Sequence, residues 1–541
     1  MRGAVAHERL TDRILAAAER RPDATALVFR GERTSYGELA RQTRTLAAAV
    51  ADASPASPVA LHATKTPGTV AAMLGCLLAG VPYVPVDPAV PAARRELLLG
   101  DSGARILLVD DTAPGVRPPV LAETSRARAV PLTGFAAGAP EHPEQSQLSG
   151  RAEPSAVANV LYTSGSTGVP KGVLTTHTNA VTFLAWAQDL IGVREDDVVA
   201  CYAPLHFDMH IFDLFGTLAR GATVLLLDDR TILFPEAVCT TLREQGATSM
   251  YAVPSAWTGL LRSASLADGL PRLRTVMYSG EEFPVPPLRE LAALLPHAQI
   301  VNIYGPVETN AVTALKVTPE HLRLDRIPIG LPFGGSKVFL TDASGAVVTE
   351  PGAEGEIVVH SATMCEGYLG DPAMTEASRL TVEAGGQTYV TYRTGDFGAW
   401  DGEGLLHFRG RRDGRVKTRG FRVELGEVEA RLLAHPAIQD AVVSTRPHPE
   451  RTHELIAFVT LRREGAVSEA ELTAWCRELL PVYMLPRELR ILPELPRTGT
   501  GKADRVALKR IAAEPAAAEP AMAAPVVAAP AVAAPGSEVR A

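Results

Sequence analysis

The chain of 541 residues is poor in cysteine: Cys76, Cys201, Cys239, Cys365 and Cys476 are an odd number, widely spaced, with no C-x-x-C pair. This excludes a disulfide frame and a thiolate zinc site, and reads as reduced thiols in a cytoplasmic protein. Positive charge is also short, since 53 Lys and Arg against 61 Asp and Glu leave a formal net charge of −8. With no basic block to neutralise a phosphate backbone, a nucleic-acid partner is not expected. Long uncharged apolar runs are scarce. The one between Lys65 and Asp87 is broken by Gly75, Gly80, Pro82 and Pro85. It reads as a buried helix, a turn and a buried strand, not a membrane span. The first residues carry Arg2, His7, Glu8 and Arg9 and no apolar segment of a secretory signal. Internal repeats are absent. What is there is ordinary globular material, 46% hydrophobic and 21% charged, enough for roughly three to four units of about 150 residues.

Apolar β-branched runs at 105–109, 223–227, 249–253 and 275–278 alternate with amphipathic stretches, the pattern of parallel α/β sheets. Residues 134–155 are rich in Gly, Pro, Ser and Ala and lead into a strand at 157–162. From Gly355 short strands with glycine turns, such as 355–360 and 405–409, predict a β-rich subdomain. After Gly410 a smaller α+β unit begins, with helices at 427–433 and 469–480 and strands at 440–444 and 455–461. Residues 512–541 are Ala/Pro-rich, have no patterned face and read as a flexible tail.

The strongest local signal runs Tyr162-Thr163-Ser164-Gly165-Ser166-Thr167-Gly168-Val169-Pro170-Lys171-Gly172. A strand feeds a loop of small hydroxylated residues and glycines, followed by a lysine. Exposed backbone N–H groups, hydroxyl donors and one cation make a polyphosphate cradle. It is not a Walker A loop, because Pro170 precedes Lys171 and Gly172 follows it.

This segment resembles the phosphate loop of the ANL superfamily of adenylate-forming enzymes, which includes acyl-CoA synthetases, luciferases and the adenylation domains of nonribosomal peptide synthetases. Further motifs of the adenylation-domain set follow in order: Thr34-Ser35-Tyr36-Gly37-Glu38, Leu78-Ala79-Gly80-Val81-Pro82-Tyr83, Phe207-Asp208-Met209-His210 and Asn302-Ile303-Tyr304-Gly305-Pro306-Val307-Glu308. His210 stands where serine is usual, and Val307 where threonine is usual. Then come Gly355-Glu356-Ile357, Tyr392-Arg393-Thr394-Gly395-Asp396, Gly410-Arg411-Arg412-Asp413, Lys417-Thr418-Arg419-Gly420-Phe421-Arg422-Val423-Glu424, Leu480-Pro481-Val482-Tyr483 and Thr498-Gly499-Thr500-Gly501-Lys502. The resemblance covers about residues 10–511. It implies a large core domain over 1–412, with α/β sheets and the β-rich subdomain. A small mobile α+β C-terminal domain over 413–511 and the tail over 512–541 complete the chain.

The chemistry implied is activation of a carboxylate by ATP with Mg²⁺, giving an acyl-adenylate, and then capture by a thiol. A carboxylate is already ionised at neutral pH, so the first step needs positioning and charge neutralisation, not a base. By the resemblance, Thr163, Ser164, Gly165, Ser166, Thr167 and Lys171 hold the β- and γ-phosphates, and Glu308 binds Mg²⁺. Asp396 takes the ribose hydroxyls with Arg411 nearby. Asn302, Ile303, Tyr304, Phe408 and Lys417 complete the nucleotide site. Lys502 is the expected catalytic cation and Asp413 the hinge.

Asp208 marks the branch that activates amino acids, pairing with the substrate ammonium. The other pocket positions carried over are Met209, Phe212, Ala252, Met277, Ser279, Ile303, Ala311 and Val312. They are mostly apolar and several are bulky, which favours a small α-amino acid: alanine first, then glycine or serine. The pair Asp101-Ser102 resembles a phosphopantetheine attachment site but falls inside the large domain, and reads as structural. The expected acceptor is therefore a separate acyl or peptidyl carrier protein of natural-product assembly. Alternatives are a D-alanine–carrier ligase of cell-wall modification, an acyl-CoA synthetase, and an inactive homologue acting as a binding protein.

Overall fold

The computed structural model describes residues 8–54, 57–112, 116–137, 153, 156–165, 170–411, 415–418, 420–448, 452–463, 465–497 and 503–513. Ser166, Thr167, Asp413, Lys502 and residues 514–541 lie outside them, whereas Ala512 and Ala513, expected in the tail, close the helix Arg505–Ala513.

Two large sheets dominate the first 330 residues. One runs in the order Leu331–Pro332, Thr313–Lys316, Gln299–Tyr304, Thr275–Tyr278, Ser249–Ala252, Val198–Cys201, Thr223–Leu226, Thr25–Phe29 and Glu32–Ser35. Its central strands are parallel. The other runs Gly367–Tyr368, Lys171–Thr176, Val157–Thr163, Tyr83–Val86, Val59–His62, Ile106–Val109 and Arg128–Pro131. The central strands of each sheet carry side chains buried on both faces, which is why they read as unbroken apolar runs.

The uncharged stretch after Lys65 forms the helix Pro67–Ala79 and the wholly buried strand Tyr83–Val86. Thr66 caps the helix by accepting from the Thr69 N–H, Pro67 opens it, and Gly80 at φ 73° ends it. Gly75 lets the helix Tyr36–Ala53 come close, since a Cβ there would meet Leu46 Cβ at 2.9 Å. No helix among the described residues is long and apolar enough to cross a membrane.

From Lys337 an antiparallel sheet of Lys337–Thr341, Glu354–His360, Gln387–Trp400, Arg379–Ala384 and Leu406–Arg411 forms the β-rich part. The C-terminal unit has its own core, built from Val423, Val428, Leu432, Val443, Ala457, Leu472 and Met484. It consists of the hairpin Arg415–Thr418/Phe421–Glu424, the helices Leu425–Leu433 and Glu469–Leu479, and a sheet of Ile438–His448, Thr452–Leu461 and Glu488–Ile491. Those first two strands form a ribbon longer than the sequence pattern indicated. Ser102 is buried and its hydroxyl donates to the Leu99 carbonyl, so it is not presented for modification.

Candidate active site

A cavity of about 120 Å³ lies where the C-terminal unit meets the carboxyl ends of the parallel strands, the usual ligand position in α/β sheets. Its large-unit wall includes Thr163, Ser164, Phe183, Asp208, Met209, Tyr251, Ser279, Ile303, Ala311, Asp396 and Arg411. The C-terminal unit contributes Lys417, Gly420, Phe421, Arg422 and Tyr483. A second cavity beside it is lined by Asn302, Ile303, Tyr304, Phe408 and Lys417. The two cavities share Ile303 and Lys417, and together they gather most of the residues expected to hold nucleotide and substrate.

Strand alternation decides who faces the cavity. Tyr251 pairs with Met277, and Ala252 with Tyr278. Tyr251, Met277 and Ile303 share a core with Met209 and Phe212, whereas Ala252 packs with Trp257 and Tyr278 on the opposite face. Ala252 is therefore turned away, and the neighbouring Tyr251, missed from sequence, is the wall residue. Its ring meets Phe212 edge-on at 6.2 Å, so Phe212 stands behind it. Met277 is fully buried on the cavity's face of the sheet, beneath the wall rather than in it. Val312 packs with Tyr304, Leu340 and Leu406 instead, leaving Ala311 as the wall residue of that pair. The Tyr251 hydroxyl donates to Ser279 Oγ at 2.8 Å.

Asp208 precedes a helix that widens into a π-helical turn over Ile211–Gly216, a distortion frequent at functional sites. Burial, reinforced by the negative charge of Glu308, pushes the Asp208 carboxyl up to about 6, although the backbone N–H groups of Asp208 and Met209 oppose this. Glu308 has the opposite fate. Burial alone would raise it, but Arg422 brings it down to about 2, helped by hydrogen bonds. One Arg422 nitrogen lies 3.2 Å from both Glu308 oxygens, and the Tyr368 hydroxyl donates to Oε1 at 2.9 Å.

The expected phosphate loop lies between two antiparallel strands, with Thr163 paired to Lys171. A strand on each side separates it structurally from a loop that opens a helix. Thr163 Oγ1 is buried with no partner among the described residues, and Ser164 Oγ donates to the Arg422 carbonyl at 2.6 Å. The Lys171 ammonium sits 6.0 Å from the Tyr368 ring centroid. Asp396 accepts from the Tyr304 hydroxyl at 2.7 Å and from Arg411. Lys417 is half-buried and its pKa is lowered by desolvation, with Asp396 working against that shift.

The C-terminal unit is fastened over the cavity by contacts the sequence did not reveal. Phe421, stacked within that unit on Tyr483 with centroids 3.7 Å apart, meets Phe207 of the large unit edge-on at 4.8 Å. The Gly420 N–H donates to Glu281 at 2.6 Å. Of the described residues near position 502, Arg497 bridges to Ala503 and pairs with Asp440, and neither lines the cavity.

Two family models match this chain: "AMP-binding enzyme" over residues 14–369 and "AMP-binding enzyme C-terminal domain" over 427–502. The chain belongs to the AMP-binding family of adenylate-forming enzymes. It is 35% identical over 493 residues to an L-proline–[L-prolyl-carrier protein] ligase of Streptomyces coelicolor, covering 87% of this chain and 90% of that one. It is 32% identical over 519 residues to a D-alanine–D-alanyl carrier protein ligase of Bacillus licheniformis, covering 93% and 99%. Among solved structures it resembles holo-PA1221, a nonribosomal peptide synthetase protein with adenylation and carrier domains. There the TM-score is 0.82 at 27% identity, covering 94% of this chain and 85% of that one. IdnL1 matches with a TM-score of 0.76 at 32% identity, covering 90% and 99%.

Proposed function

We propose that this enzyme activates a small α-amino acid with ATP as the aminoacyl-adenylate and transfers it to the phosphopantetheine thiol of a separate carrier protein. The observation that carries this reading is Asp208, a desolvated carboxylate on the wall of the cavity beside the phosphate loop. The charge of Lys417 does not outweigh burial there; a substrate ammonium supplies a direct ion-pair partner, which an acid without an amine does not. The proline and D-alanine ligases among the relatives act on amino acids with small apolar side chains. Tyr251 in the wall, where the sequence suggested alanine, narrows the pocket further and favours alanine, then glycine or serine.

The donor set fits ATP and Mg²⁺. Thr163 offers a buried hydroxyl with no partner among the described residues. A single carboxylate, Glu308, suits a cation that takes its remaining ligands from phosphate and water. Bound there, Mg²⁺ would neutralise phosphate charge. Asp208 then orients the amino acid so that its carboxylate meets the α-phosphorus, and Asp396 and Arg411 hold the ribose end. Lys502 stabilises charge developing on the α-phosphate. Lys502→Ala should abolish amino-acid-dependent ATP–pyrophosphate exchange while sparing thiol capture from a supplied adenylate, and retained exchange would remove this role. Asp413 acts as the hinge between the two domains.

The D-alanine ligase relative supports a second reading with the same chemistry and the opposite enantiomer. Pyrophosphate exchange across amino acids, both enantiomers included, separates the two. A large or charged amino acid ranking first would overturn the small-pocket reading.

A further inference from the structure

Beside the phosphate loop, a buried ion pair joins the two units. Arg94 lies on the helix Ala92–Ser102 of the large unit, and Glu427 on the helix Leu425–Leu433 of the C-terminal unit. Their nitrogen and oxygen are 2.5 Å apart, with side chains 7% and 0% exposed. The second Glu427 oxygen accepts from the Gly165 N–H at 3.4 Å. One carboxylate thus bridges a desolvated guanidinium and a backbone amide of the phosphate loop. A loop amide and a guanidinium converging on one anion are the donor set of a phosphate oxygen. The neighbouring contacts follow the same pattern. Ser164 Oγ is taken by the Arg422 carbonyl, and Glu308 by the Arg422 guanidinium. The cavity this leaves is about 120 Å³, small beside the about 300–1,000 Å³ typical of ligand sites.

We propose that Arg94 binds pyrophosphate, and that Glu427 occupies the same anion position once pyrophosphate has gone. This rests on the phosphate-loop assignment made above and extends it to a residue outside every motif. With Glu427 withdrawn, Arg94 keeps its positive charge near the Gly165 N–H, and the two donors that Glu427 bridges are free to take another anion. Pyrophosphate on the loop and the observed packing of the C-terminal unit then exclude each other.

The test is calorimetric titration of the full-length chain with inorganic pyrophosphate and Mg²⁺, without nucleotide. Arg94→Met should weaken pyrophosphate binding by about tenfold, and Glu427→Gln should tighten it by about fivefold, since a charged partner is lost in one and a charged competitor in the other. Arg94→Lys, which keeps the charge, should recover most of the affinity, and melting curves check that each variant is folded. A pair that only staples the units predicts the same direction of change for Arg94→Met and Glu427→Gln. Shifts of the same sign, or no shift, would overturn the proposal while leaving the loop assignment intact. If the unaltered chain binds no pyrophosphate, the loop assignment itself falls, and this proposal with it.

Discussion

Asp208, half-buried on the cavity wall, and Glu308, fully buried, are two desolvated carboxylates 100 residues apart in sequence, and they stand in opposite electrostatic states. Asp208, facing the apolar side pocket, is raised to about 6, chiefly by burial. Glu308, at the phosphate end, is held at about 2 by the Arg422 guanidinium against the same penalty. Burial is common to both, so the cation makes the difference. At Asp208 the positive charge of Lys417 is outweighed by burial, whereas Arg422 meets the Glu308 carboxylate directly. On the function proposed above, the first awaits an ammonium. The second is a site whose expected metal must compete with an arginine.

The largest effect should come from removing the waiting charge. Asp208→Asn leaves the substrate ammonium without its partner, and breaking such a buried pair costs about 3–5 kcal/mol. The specificity constant for the amino acid in pyrophosphate exchange should fall by about 10²–10³-fold. An unchanged constant would mean that Asp208 does not recognise the amine.

Next in size is the occupied end. Arg422→Gln leaves Glu308 buried and unpaired and should cost about 3 kcal/mol of stability at neutral pH, read as a lower denaturant midpoint. The sign follows from the lowered pKa. The pair's contribution is full above the ordinary value of 4.5 and is lost as pH falls toward about 2. The variant's deficit should therefore shrink between those pH values. A deficit constant with pH would separate the pair from this stabilisation.

Then comes the pH profile. Because Asp208 sits near 6, its carboxyl is neutral below that value and charged above it. The KM for the amino acid should rise by about tenfold for each unit of pH below 6, with kcat less affected. Asp208→Asn should remove that slope. If the variant keeps the slope, another group titrates.

The comparison also marks what was legible in the sequence. The motifs located both carboxylates, the phosphate loop and the α/β class, because local residue order carries them. They could not reveal Arg422 against Glu308, 114 residues apart, or Arg94 against Glu427, 333 apart, since those contacts depend on how two units pack. The exchange of Ala252 for Tyr251 has a different cause. All four residues of the strand Ser249–Ala252 are buried, so no polar alternation shows which face is which, and a slip of one position reverses the side chains.

That one-position difference gives the smallest prediction. Tyr251 contributes two things to the pocket: a ring that limits its size and a hydroxyl that donates to Ser279 Oγ. Tyr251→Phe removes only the second. A single neutral hydrogen bond contributes about 0.5–1.5 kcal/mol, and Ser279 can turn its hydroxyl to another partner. Exchange with alanine should therefore stay within about threefold of the unaltered enzyme. Tyr251→Ala removes the ring as well and should admit larger apolar amino acids, reducing the preference for alanine. If Tyr251→Phe alone redirected selectivity, the hydroxyl pair rather than pocket size would define the substrate. The polar contrast between the two ends of the site would then extend into the side pocket itself.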